Sequence, residues 1–189
     1  MLLTLDLATV LGWTRGDVAD RNFESGYYKL PSTGADIGAF AEAYDKWIRS
    51  KINGVTEIVM ECPVLPRKTT LATVRKLTGL AWHSEWIATS MGIRCYEAHL
   101  SSVKKAIGGH GRASKDDMVA AVQGYGYNVT EENEADAIAV RLYTIMTRYN
   151  HLADNFELSM GLLGGRKIEL TIPVPQTRPS PSQLLGPED

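Results

Sequence analysis

Three short β-favouring runs open the chain, and after them segments of helical and strand character alternate, which confines the fold to a mixed sheet with helices on both faces. Leu2-Leu3-Thr4-Leu5-Asp6-Leu7 is an apolar run that stops at Ala8-Thr9. Gly12-Trp13-Thr14 resumes β-favouring residues before the turn chemistry of Arg15-Gly16-Asp17, and Phe23 to Leu30 ends at Pro31. These are the strands of a meander. Ile37, Phe40, Ala41, Tyr44, Trp47 and Ile48 fall on one helical face, stopped by Asn53-Gly54. Thr56 to Met60 is too short for a helix and reads as a central strand ended by Glu61-Cys62-Pro63. From Thr69 to Ser90 the apolar residues cover more than one stripe, so the helix has one face for the sheet and another for a partner, which points to a homodimer. Ile93 to Tyr96 is a strand, Ser101 to Ile107 a helix, and Gly108-Gly109-His110-Gly111 a loop. Ser114 and Asp117 have capping-box spacing at the start of a helix ending at Gly124, and Glu131 to about Tyr149 is the last helix. The order is β-β-β-α-β-α-β-α, an α/β chain.

At 189 residues the length suits one domain, expected over residues 1–160. The remainder, 161–189, carries Pro173, Pro175, Pro179, Pro181 and Pro187 among Ser, Gln and Gly, and disorder is expected from about residue 172. No apolar run approaches a bilayer span, and Asp6 interrupts the N-terminal stretch where a signal peptide needs an unbroken centre, so a cytoplasmic protein without a membrane partner is expected. Cys62 and Cys95 lie far apart with no CxxC spacing, which supports neither a disulfide framework nor a zinc site. The net charge of −2 conceals an uneven distribution: residues 61–115 carry 9 Lys and Arg against 3 Asp and Glu. A basic middle third in an acidic chain is either a solvated face or a surface for a polyanion.

Acids stand inside elements that read as buried. Asp6 lies in the first strand, Glu61 ends the run Ile58-Val59-Met60, and Asp136 sits in Ala135-Asp136-Ala137-Ile138. Each has an ordinary reading: a turn cap at Thr9, a strand end, or a pair with Arg141. Taken together, parallel strands and a helix over their ends would bring the acids to one place, where a hard cation such as Mg²⁺ relieves their repulsion. Asn133 at i−3 and Glu132 at i−4 share a helical face with Asp136 and either can complete a site, whereas Glu134 points elsewhere. Two such ions clamping a phosphodiester and activating a water would make a nuclease.

Four segments in order, Leu5-Asp6-Leu7-Ala8 with Gly12-Trp13, Ile58-Val59-Met60-Glu61, Gly109 to Lys115, and Glu134-Ala135-Asp136-Ala137, resemble the RuvC-like Holliday junction resolvases of the RNase H-like superfamily, in particular their compact phage forms. The resemblance implies an RNase H-like fold, a homodimer through the helix around 69–90, dependence on Mg²⁺ with Mn²⁺ substituting, and nicks in branched DNA that leave 5′-phosphates. By motif position it makes Asp6, Glu61 and Asp136 metal ligands and gives Lys115 a phosphate-contacting, catalytic role. The family's usual fourth ligand is an Asp or His, and here that position is Asn133. The loop after Glu61 offers Val64 and Leu65 where relatives present an aromatic wedge. Arg67, Lys68, Arg75, Lys76, Lys104, Lys105, His110, Arg112 and Lys115 make up most of the basic segment and are the expected DNA surface. Two other readings stay open at this point: a branched-DNA-binding protein with a weak or inactive site, and a fragment of an actin-like or sugar-kinase-type ATPase, suggested by Asp6-Leu7-Ala8-Thr9 followed by Gly12.

Overall fold

The computed structural model describes residues 1–64 and 68–156. Leu65, Arg67 and the Pro-rich segment, for which a wedge, a DNA contact and disorder were expected, lie outside those residues. Strands β1 (Leu2–Asp6), β2 (Val10–Gly16) and β3 (Glu24–Lys29) form an antiparallel meander; β4 (Glu57–Glu61) and β5 (Arg94–Ala98) join parallel on the other side of β1, giving the order β3-β2-β1-β4-β5. The helices are α1 (Ile37–Lys51), α2 (Leu71–Ser90), α3 (Leu100–Ile107), α4 (Lys115–Gly124) and α5 (Glu132–Arg148), and a 3₁₀ turn spans Asn150–Phe156. That last turn has no periodic pattern to announce it.

Side-chain alternation splits the sheet between two cores. Leu3, Leu5, Ile58 and Met60 point to one face, where they pack with Phe40, Tyr44 and Ile48 of α1 and with Leu80 and Ile87 of α2. Leu2 and Val59 point to the other, against Val103 of α3, Met118 and Val122 of α4, and Ile138, Leu142 and Ile145 of α5. Full burial of each of these Leu or Ile side chains contributes about 2 kcal/mol. The capping residues act as their types predict: Asp36 Oδ1 accepts from the Ala39 N–H, and the Ser114–Asp117 capping box is closed from both sides. The second apolar face of α2 stays bare, with Leu71 74%, Trp82 65% and Trp86 48% exposed.

The helix α5 is buried along most of its length, so its register against the sheet is tightly set. Thr4 Oγ1 donates to the Ala137 carbonyl at 2.9 Å and lies 2.6 Å from Thr14 Oγ1, tying α5 to β1 and β2 at once. Farther along, the buried Arg141 guanidinium donates to the carbonyls of Leu2 and Asp17 and lies over the Phe23 ring. Arg141 is therefore committed to the opposite end of the strand from Asp136, and the pairing of those two residues weighed from the sequence is not made.

Candidate active site

Parallel pairing of β1 and β4 sets Leu5 beside Met60, so the next residues, Asp6 and Glu61, emerge side by side from the same ends of adjacent strands. Asp136 comes from above. In the β1–β2 ladder Gly12 stands opposite Asp6, and on this glycine the first turn of α5 rests: a Cβ there would fall 1.7 Å from the Asn133 carbonyl oxygen. One turn on, Asp136 therefore hangs over the strand ends that carry Asp6 and Glu61.

Electrostatics reports the proximity. Burial raises the Asp6 carboxyl well above the usual range, and repulsion from Glu61 and Asp136 adds to it while Lys115 opposes it. Glu61 is pushed up to about 7, first by burial and then by Asp136, against the pull of Lys104 and Lys115. Asp136 rises to about 6, chiefly through burial, against Lys115 and Lys104. Among the described residues no hydrogen bond contributes to these shifts, so only the charges of Lys115 and Lys104 work against burial and repulsion.

Such acids fit a hard divalent cation. Among the described residues no three His, Cys, Asp or Glu side chains are arranged to hold an ion as they stand. Mg²⁺, however, keeps several waters and takes one or two carboxylates plus substrate phosphate oxygens, so a protein cage is not what it demands. Asp6, buried, with Glu61 and Asp136, half-buried, are the residues that would hold it, their open side leaving room for its waters.

These shifts predict how stability follows pH. Acids whose folded values exceed their unfolded ones favour folding fully below the unfolded values and lose that contribution as pH rises through the folded ones. For Glu61 the window runs from 4.5 to about 7, and for Asp136 from 3.8 to about 6. The metal-free protein is expected to lose about 3 kcal/mol between pH 4.5 and 8 from the Glu61 displacement alone, and added Mn²⁺ is expected to return it. Denaturant melts with and without EDTA check this; a flat profile in EDTA contradicts the clustering of the acids.

The neighbouring residues divide into those that face the acids and those that do not. Lys115, at the start of α4, feels all of the acids' charge and donates to Glu132 Oε2 at 2.8 Å, and Glu132 is the main cause of its raised value. Glu132 is thereby engaged by Lys115. Asn133 donates from Nδ2 to Glu131 Oε1 at 2.6 Å, and Glu134, as its place on the helix implies, accepts from Ser25 Oγ at 2.7 Å, away from the acids. Lys104 turns inward, its ammonium 2.7 Å from the Ala113 carbonyl, and props the loop that leads to Lys115. Lys76 lies over the Phe40 ring and, with Arg75, lines a groove of about 200 Å³ between α1 and α2. Lys68, Lys105, His110 and Arg112 are exposed. Sequence reasoning passed over Glu131, the N-cap of α5, whose charge reaches both Asp6 and Asp136. A glutamate is not among the preferred caps, so its type gave no signal.

No protein-family model matches the chain, and no curated protein does. Solved structures do. Thermus thermophilus RuvC is 17% identical with a TM-score of 0.61, over 80% of this chain and 96% of its own. The same protein in complex with Holliday junction substrate is 18% identical with a TM-score of 0.63, over 82% and 96%. The yeast mitochondrial Holliday junction resolvase Ydc2 is 10% identical with a TM-score of 0.54, over 82% and 83%. At these identities the likeness is one of architecture: the chain has the α/β RNase H-like fold found in RuvC.

Proposed function

We propose that this protein is a metal-dependent, structure-selective endodeoxyribonuclease that resolves Holliday junctions or related branched DNA and leaves 5′-phosphates. The observation that carries the reading is the cluster of buried Asp6 with half-buried Glu61 and Asp136 at one end of the sheet, Lys115 beside it, in a fold shared with one protein in complex with Holliday junction substrate and another named a Holliday junction resolvase. Its nuclease domain spans residues 1–160.

Bound Mg²⁺, or Mn²⁺ in its place, supplies an activated water and stabilisation of the leaving oxygen. The chain's own residues do the rest. Asp6, Glu61 and Asp136 hold the cations, with Asn133 better placed than Glu132 to complete the set because Lys115 already engages Glu132. Lys115 has a side chain 54% exposed at the N-terminus of α4, where helix N–H groups also favour a phosphate; while it holds Glu132 it offers its remaining N–H donors to the scissile phosphate and offsets its charge. Arg112, His110, Lys105 and Lys68 contact the DNA arms. A second copy docks on the bare face of α2, covering Leu71, Trp82 and Trp86, and gives two sites for paired nicks. The protein acts in the cytoplasm.

The test is digestion of four-way, Y, flap and linear DNAs with Mg²⁺, Mn²⁺ or EDTA. Metal-dependent cutting of branched substrates is expected, and Lys115→Ala is expected to slow it about 10² to 10³-fold, as loss of one charge-stabilising donor does. Band shifts without cutting in any metal would instead make the chain a junction-binding protein.

A further inference from the structure

Asn133 is the residue in this cluster whose chemistry depends on which way it faces. A side-chain amide can offer a cation its oxygen, which binds, or its NH₂, which repels. Glu131 decides between them. The Glu131 carboxylate takes the Glu134 N–H on Oε2 at 2.8 Å and the Asn133 NH₂ on Oε1 at 2.6 Å. A carboxylate has acceptors only, so the amide must turn its donor toward Glu131 and its oxygen away. Asn133 lies one turn before Asp136 on the same helical face, and its backbone carbonyl rests against Gly12, the residue opposite Asp6. An oxygen left free by this pairing, on a residue of that face, is within the same turn of the helix as the acid at 136.

We infer that Glu131 is a positioning residue: as the cap of α5 it fixes the Asn133 amide with Oδ1 toward Asp6 and Asp136, making an asparagine serve as a neutral oxygen ligand for the divalent cation. This deepens the nuclease reading and rests on it. Partners of this kind, which orient a ligand without touching the ion, typically carry 10 to 100-fold in metal affinity. A neutral ligand also suits the place. Glu131 already adds its repulsion to Asp6 and Asp136, and a further carboxylate at 133 would face that same charge.

The sharpest test exchanges one atom. In Glu131→Gln, Oε1 of the glutamine can still cap the Glu134 N–H, but its NH₂ now faces residue 133, so the Asn133 amide must flip and present its own NH₂ to the cation. Mn²⁺ binding to the full chain, followed by electron paramagnetic resonance without DNA, is expected to weaken about 10-fold or more, with the melting temperature in EDTA kept near that of the unaltered protein. Adding Asn133→Asp to Glu131→Gln restores an acceptor opposite the glutamine and an oxygen toward the ion, and is expected to recover the affinity. Should Glu131→Gln melt early, Glu131→Ser, a preferred cap that no longer supplies paired carboxylate oxygens, is expected to show the same loss. Unchanged Mn²⁺ affinity in Glu131→Gln, or no recovery in the double variant, overturns the proposal. Asp6→Asn separates this from the broader reading: if that variant also binds Mn²⁺ normally, the metal centre itself is lost, whereas weak binding there with normal binding in Glu131→Gln removes only the role of Glu131.

Discussion

Asp6→Asn is expected to lower junction cleavage by at least about 10³-fold while leaving junction binding intact and raising the melting temperature in EDTA above pH 7. The first effect follows from the removal of a cation-holding oxygen at the end of β1, where Asp6 is 9% exposed and neighbours Glu61 in the next strand; loss of comparable transition-state stabilisation costs about 10² to 10³ for a single donor and more for a metal ligand. The gain in stability follows from the burial and repulsion that raise the Asp6 carboxyl: a neutral amide of the same shape escapes the repulsion, has a smaller desolvation cost than the carboxylate, and relieves its neighbours. Opposite signs for activity and stability distinguish a functional acid from a structural one, since a structural carboxylate would lose stability on neutralisation. Cleavage rates, gel shifts in EDTA and thermal melts at pH 8 check the three parts together. Undiminished cleavage would refute the site.

Much of this architecture is written locally. The face formed by Phe40, Tyr44, Trp47 and Ile48 specifies α1, and Ser114 with Asp117 marks the start of α4, because periodicity and capping depend on residues a few positions apart. The acids stand out for a related reason: a carboxylate inside an apolar run is anomalous without any knowledge of the fold. Direction is what local pattern leaves open. Lys104 and Lys105 are adjacent and equally basic, yet Lys104 folds inward onto the Ala113 carbonyl while Lys105 stays exposed, and only the packing of α3 against α5 separates them. Lys76 belongs to the same run of charge but covers the Phe40 ring, an outcome fixed by how α2 lies on α1. Glu131 escaped notice because its role is created by where the first turn of α5 sits and by the amide two residues on.

That placement of α5 makes Gly12→Ala the substitution with the largest expected effect on the fold and the site together. Gly12 has an ordinary strand conformation, paired with Asp6 on one side and Tyr27 on the other, so backbone freedom is not what it supplies. It supplies space. The added methyl carbon would stand 1.7 Å from the Asn133 oxygen and 2.3 Å from the Asn133 carbonyl carbon, both main-chain atoms of a helix fastened to the sheet by Thr4 and Arg141. No rotamer change can clear such an overlap; α5 must lift or the β1–β2 ladder must part. Overpacking of this kind costs about 3 kcal/mol or more, and in whatever fraction still folds, a displacement of about 1 Å at Asp136 is expected to slow cleavage about 10²-fold and weaken Mn²⁺ binding with it. Gly124→Ala is the matched control. Gly124 ends α4, away from both the acids and the bare face of α2, with nothing among the described residues within 4 Å of its added carbon, so the same methyl group there should leave stability unchanged or raise it slightly. Paired melts and cleavage rates decide the matter: a Gly12→Ala protein that melts and cuts like the unaltered one would mean that the close seat of α5 on β2 does not set the position of Asp136.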